Sequence, residues 1–276
     1  MPEFHAKDGT RLYYTDEGQG IPILCLAGLT RNGRDFDHVA PHLPTMMPVR
    51  LIRMDYRGRG QSDWADYKTY TIPQEAEDAL ALLDHLGLEQ AAILGTSRGG
   101  LIAMFIAATS KDRLLGVALN DIGPELDKAG LDVIENYIGR RPAQKTYAEA
   151  AAFRAKSWSH FSDVPMARWL AEVENHYIET DTGLDLRYDP KLREAVLEAG
   201  TQPMPDLWPL YDAMLGLPLC LIRGENSDLL SEATADKMLD RRIDMIRADI
   251  EGRGHVPFLD EEMALDALHE WLEDME

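Results

Sequence analysis

Short apolar runs lacking period-2 alternation recur along this chain, and a helical pattern follows most of them. Such runs fit strands covered on both faces. Strands alternating with helices imply right-handed crossovers and a mostly parallel sheet. The buried strands are expected at residues 23–26, 50–54, 91–94, 114–119, 218–223 and 243–250. Helices are expected at 34–43, 73–86, 99–108, 232–239 and 261–274. In the second of these, Pro73 sits in the first turn and Ala76, Ala79, Leu80, Leu83 and Leu86 mark one apolar face. Two short runs, 3–7 and 11–15, flank Asp8-Gly9-Thr10 and predict an N-terminal hairpin.

The alternation breaks after Asn120. From Pro124 to about Pro205 the pattern is helical, best at 147–161, 165–178 and 190–198, with no convincing buried strand. A helical block inserted between two strands of one sheet reads as a cap over their carboxyl ends, where open α/β sheets bind ligands. The expected organisation is a core of residues 1–123 and 206–276, with a helical cap at 124–205.

A chain of 276 residues, 45% hydrophobic, suits one large α/β domain or one domain with an insertion. The formal charge of −20 disfavours nucleic acid and anionic membranes as partners. Two cysteines, Cys25 and Cys220, exclude a disulfide scaffold and read as small buried hydrophobes. No run reaches the ~18 apolar residues of a membrane span. The N-terminal residues show no basic stretch followed by an apolar one, so no signal peptide is expected and the cytoplasm is the default address.

The strongest chemical signal is Gly95-Thr96-Ser97-Arg98-Gly99-Gly100. It fits G-x-S-x-G, with a strand before it and a helix after it. A sharp strand-to-helix turn lifts the Ser97 hydroxyl above the sheet, and side chains at 95 and 99 would collide across so tight a bend. A serine hydroxyl needs a base, and the base needs an orienting acid. His255, in Gly254-His255-Val256-Pro257, follows the last predicted strand and stands at the same sheet edge. Asp228 and Asp121 each follow a predicted strand end and compete for the acid. Asp228 is favoured because it gives the chain order nucleophile, acid, base; Glu225 is a weaker third choice. For Asp121 the other reading is a carboxylate bonding its own loop amides before Pro124. The oxyanion donors are expected to be the backbone N–H groups of Arg98 and of Leu29, in Ala27-Gly28-Leu29-Thr30. His38 and His42 stand four apart on a predicted helix without further metal-type ligands. They read as a solvated face, as do His85 and His269. His5 sits in a terminal strand, and His160 and His176 read as cap packing or surface.

Taken together these residues resemble the α/β-hydrolase fold family over nearly the whole chain. Asp55-Tyr56-Arg57-Gly58-Arg59-Gly60-Gln61-Ser62 is similar to a stretch of the esterase, lactonase and C–C hydrolase branch, where it is mainly structural. Where many members carry His-Gly in the oxyanion loop, this chain has Ala27-Gly28. Serine rather than aspartate at position 97 turns the resemblance away from halide and epoxide substrates. The resemblance implies an α/β-hydrolase fold with a mostly parallel eight-stranded sheet flanked by helices. It also implies a serine hydrolase without cofactor or metal, whose partner is a small-molecule substrate. Ser97, Asp228 and His255 would cleave a carboxylic ester or lactone of a small to medium, largely apolar substrate. The apolar preference rests on the aromatic residues of the cap. A C–C bond hydrolase with the same triad, or a ligand receptor on this scaffold, are the alternatives.

Overall fold

The computed structural model describes residues 3–275. In chain order the elements are β1 (Glu3–His5), β2 (Arg11–Gly18), β3 (Ile21–Leu26), α1 (Leu43–Met46), β4 (Val49–Met54), α2 (Ile72–His85), β5 (Ala91–Thr96), α3 (Arg98–Thr109) and β6 (Leu114–Asn120). There follow α4 (Lys128–Tyr137), α5 (Tyr147–Ser157), α6 (Met166–His176), β7 (Tyr177–Thr180), β8 (Gly183–Leu186), α7 (Leu192–Gly200) and α8 (Trp208–Asp212). The chain closes with β9 (Leu219–Gly224), α9 (Glu232–Arg241), β10 (Ile246–Ile250) and α10 (Glu262–Glu273).

Eight strands form one sheet in the order β1-β2-β4-β3-β5-β6-β9-β10. β1, β2 and β4 pair antiparallel, and every pair from β4 to β10 is parallel. One apolar layer joins α2, α3, α8 and α9 to the sheet through residues such as Leu82, Ile102, Tyr211 and Met238. The other packs α1 and α10 against the opposite face through Leu43, Leu268 and Trp271. Both thiols, Cys25 and Cys220, are wholly buried on that second face, and burial pushes them well above the usual thiol range. Among the described residues no helix is long and apolar enough to cross a membrane.

Two expectations change. The helix expected at 34–43 is one turn of 3-10 helix, Gly33–Phe36, followed by turns. Pro41 removes an amide donor that a continuous helix over 34–43 needs. The segment between β6 and β9 is not wholly helical either. It contains the two-stranded β7–β8 hairpin, whose first strand takes over where the sequence pattern ran α6 on to Ile178. β7 is largely exposed, so it never carried the signature of a buried strand.

The glycine-rich stretch after β4 ties loops together. Asp55 accepts the Gly33 and Gln61 amides at 2.7 and 2.8 Å. Arg57 pairs with Asp78 at 2.6 Å, and Arg59 with Glu75 at 2.9 Å. Gly60 donates to Arg187 O and Asp189 donates to Gly58 O, which fastens this loop to the chain beyond β8.

Candidate active site

The parallel register brings three strand ends level. Thr96 of β5 stands beside Asn120 of β6, and Asn120 beside Ile222 of β9. Residues that follow these strands therefore emerge on one edge. Ser97 leaves β5 with φ 50° and ψ −111° and starts α3 at once. A non-glycine residue held there stores on the order of 1–3 kcal/mol of backbone strain. Its amide donates to Asn120 O at 2.9 Å, which fixes the turn against β6. Two glycines permit the bend. A Cβ on Gly95 would fall 2.6 Å from Gly100 N, and one on Gly99 would fall 2.0 Å from Leu26 O.

His255 lies on the loop after β10, and its Nε2 is 2.9 Å from Ser97 Oγ. Asn120 holds that loop, donating from Nδ2 to Pro257 O at 3.1 Å and to Thr96 Oγ1 at 3.2 Å. Nothing in the sequence singles out Asn120, because its role needs β5, β6 and the His255 loop side by side. On the far side of the ring, His255 Nδ1 is 2.6 Å from Asp121 Oδ2.

The carboxylate on His255 is thus Asp121, and the expectation of Asp228 is corrected. β6 lies between the strand carrying Ser97 and β9, so its end faces the imidazole directly. Asp121 adopts φ 57°, a conformation aspartate tolerates better than most residues. It is wholly buried, and Oδ1 accepts the Gly224 amide at 2.8 Å while Oδ2 accepts Ser227 Oγ at 2.6 Å. The loop after β9 thus supplies donors to the acid instead of the acid itself. Asp228, within that loop, uses its backbone carbonyl to accept Gly130 N–H at 3.0 Å. Glu225 is exposed and accepts the Gly252 amide at 3.1 Å. Asp121 gives the same chain order as Asp228, so order could not separate the two.

Leu29 lies in the turn after β3, whose last residue Leu26 pairs with Gly95 of the elbow strand. Arg98 opens α3, where the first amides have no partner within the helix. Its side chain is anchored to Glu75 at 2.5 Å and to Tyr70 O at 3.0 Å. No group of three or more His, Cys, Asp or Glu placed to hold a metal ion occurs among the described residues, His38 and His42 included.

A family model described as alpha/beta hydrolase fold matches residues 21–262. The chain belongs to the α/β-hydrolase family. As a member it is a hydrolase of this fold. It is 34% identical over 245 residues to a 3-hydroxybutyrate-oligomer hydrolase of Cupriavidus necator, covering 85% of this chain and 82% of that one. A crystal structure of an α/β hydrolase from Novosphingobium aromaticivorans is 36% identical, with a TM-score of 0.90 over 99% of this chain and 97% of that one. A 2-(acetamidomethylene)succinate hydrolase of Mesorhizobium japonicum is 25% identical over 87% of this chain and 83% of its own.

Proposed function

We propose that this hydrolase cleaves carboxylic esters through an acyl-enzyme on Ser97. The observation that carries the reading is His255 held between Ser97 Oγ, at 2.9 Å, and the buried carboxylate of Asp121, at 2.6 Å. With Nδ1–H donated to Asp121, His255 Nε2 is the free base that faces the hydroxyl. Ser97 Oγ attacks the ester carbonyl as its proton passes to Nε2. The developing oxyanion is received by the amides of Arg98 and Leu29. Collapse breaks the C–O bond, and the imidazolium gives its proton to the departing alkoxide. Water, deprotonated by His255, then attacks the acyl carbon and frees the acid and Ser97. Asp121 stays ionised throughout and stabilises the imidazolium.

The segment at 124–205 acts as the cap over this edge. Trp158, Phe161 and Trp169 from it pack with Phe258, three residues past His255. They give the site an apolar wall suited to a small or medium acyl group. Lactones meet the same chemistry with the leaving alkoxide still tethered. The likeness to a 3-hydroxybutyrate-oligomer hydrolase supports short hydroxy-acid esters as the first substrates to assay.

Labelling with a serine-directed phosphonate tests the reading. Ser97→Ala abolishes both labelling and turnover of activated short-chain esters; labelling at an unchanged rate would remove Ser97 from its role. A ring-fission diketone assayed beside the ester separates this reading from C–C bond hydrolysis.

A further inference from the structure

The two amides assigned to the oxyanion belong to separate segments. Leu29 lies in the turn after β3, and Arg98 opens α3. Such a hole works only if its donors already stand where charge will develop. The two segments must therefore be held at a fixed separation.

The Leu29 turn is held at three consecutive carbonyls. Ala27 O accepts from Tyr56 Oη at 3.0 Å, Gly28 O from Arg31 N at 3.1 Å and Leu29 O from Arg59 Nε at 3.0 Å. The C=O and N–H of a trans peptide point in opposite directions. The bond to Gly28 O thus aims the Leu29 N–H, and the bond to Leu29 O fixes the next peptide plane. Arg59 itself is seated by a second bond, from Nη1 to Arg57 O at 2.7 Å, and by the Tyr70 ring, 5.1 Å from its guanidinium.

Arg59 and Arg98 both end on Glu75, in the first turn of α2. Glu75 Oε1 is 2.9 Å from Arg59 Nη1, and Glu75 Oε2 is 2.5 Å from Arg98 Nε. Arg98 Nη2 also donates to Tyr70 O at 3.0 Å. Glu75 and Arg59 are wholly buried. One carboxylate therefore stands between the two walls of the hole, with one oxygen for each. A buried ion pair is often no more stabilising than apolar residues of the same volume. This one is also incompletely bonded, because Glu75 Oε1 and Arg59 Nη2 make no hydrogen bond among the described residues. Stability alone gives no reason to gather these charges here; a fixed geometry does.

We propose that Glu75 is a positioning residue for the oxyanion hole, setting the separation of the Leu29 and Arg98 amides through the side chains of Arg59 and Arg98. The proposal rests on the Ser97 reading and deepens it. Glu75 touches no substrate in this role. It acts on donors that matter when the oxyanion forms, so its loss is felt in kcat and not in KM.

The test measures kcat and KM of Glu75→Gln on an activated short-chain ester, with inhibition by a short methyl ketone trifluorinated on its methyl and by the alcohol of the same skeleton. Ser97 converts the ketone into a tetrahedral adduct whose oxyanion occupies the hole, whereas the alcohol only fills the pocket. Glu75→Gln is expected to lower kcat by about 30-fold or more and to weaken the ketone by a similar factor. KM and inhibition by the alcohol should stay within about threefold of wild type. A kcat within threefold of wild type overturns the proposal. So does equal weakening of ketone and alcohol, the mark of a merely structural role. Arg59→Lys and Arg98→Lys, singly and together, decide should Glu75→Gln fail to fold. Either lysine breaks the same bridge, so the double variant should lose no more than about threefold in kcat beyond the worse single one. Single variants near wild type, or losses that multiply because each arginine holds its own wall, overturn the bridge. Ser97→Ala separates the two levels. Where it abolishes phosphonate labelling, an overturning result removes Glu75 alone; where labelling survives, the Ser97 reading has failed first.

Discussion

Asp121 Oδ2 lies 2.6 Å from His255 Nδ1 and at the same time 2.6 Å from the hydroxyl of Ser227. One buried oxygen therefore orients the imidazole while a neighbouring loop orients that oxygen. Removing the charge at 121 leaves the wrong tautomer facing Ser97. Asp121→Asn is expected to lower kcat on an activated ester by about 10⁴-fold with the fold intact. Asp228→Asn should stay within about threefold of wild type. Steady-state kinetics on the two variants, with circular dichroism as the check on folding, decides between them; the opposite ranking returns the acid to Asp228.

Ser227 Oγ donates to Asp121 and accepts the Leu229 and Leu230 amides at 3.3 and 3.1 Å, and in the proposed mechanism it acts through Asp121. Its hydroxyl gives the carboxylate one of three hydrogen bonds, the others coming from Gly224 N and His255. A hydrogen bond to a charged acceptor contributes about 1.5–3 kcal/mol. Ser227→Ala should therefore reduce kcat by roughly tenfold or more, leaving KM close to wild type if substrate makes no use of that hydroxyl. A rise in KM at constant kcat would assign Ser227 to binding instead.

Gly99 is where the elbow presses on its neighbour. An added Cβ would stand 2.0 Å from the carbonyl oxygen of Leu26, and backbone there cannot swing aside as a side chain can. Gly99→Ala is expected to destabilise the protein by about 3 kcal/mol or more and to abolish turnover. The urea midpoint measures the first and ester hydrolysis the second. A variant of wild-type stability would mean the bend is softer than its geometry implies.

The Asp35 carboxyl carries a pH signature. Burial pushes it up from 3.8 to about 6, against the pull of Arg31. The unfolded chain gives up this proton at lower pH than the folded one. The stability it contributes is thus fully present below about pH 4 and is lost as pH rises through 6. Asp35→Asn removes that term, so the difference between variant and wild type should shift towards the variant by up to about 3 kcal/mol between pH 4 and 7.5. Urea unfolding at the two pH values checks it; parallel curves would show that Asp35 titrates like an exposed carboxylate.

Much of this architecture was readable from residue order because the relevant physics is local. Buried parallel strands announce themselves as unbroken apolar runs, and β3, β5, β6 and β9 fall where such runs stand. Ser97 was readable because its bend demands glycines on either side. Asp121 was not, since two strand ends offered equivalent aspartates and the choice turns on which strand neighbours β5. That is a property of sheet order, to which no single segment testifies. The Gly33–Phe36 turn escaped for a related reason. Its shape follows from long-range bonds, Gly33 N to Asp55 and Asn32 to Asn175 O, made by residues distant along the chain. The exposed hairpin β7–β8 has too little apolar content to register as strands.

Placing the carboxylate that meets His255 just past β6 divides labour in a way that bears on how a site of the proposed kind can diversify. The stretch just past β9 gives Asp121 an amide and a hydroxyl, from Gly224 and Ser227. Its outer residues Glu225 and Asn226 are exposed and fasten the His255 loop from the side, Glu225 by accepting the Gly252 amide at 3.1 Å and Asn226 by donating its amide to Arg253 O at 2.8 Å. A change at that rim would thus reach His255 only through these loop bonds, while Asp121 keeps its place one strand inward.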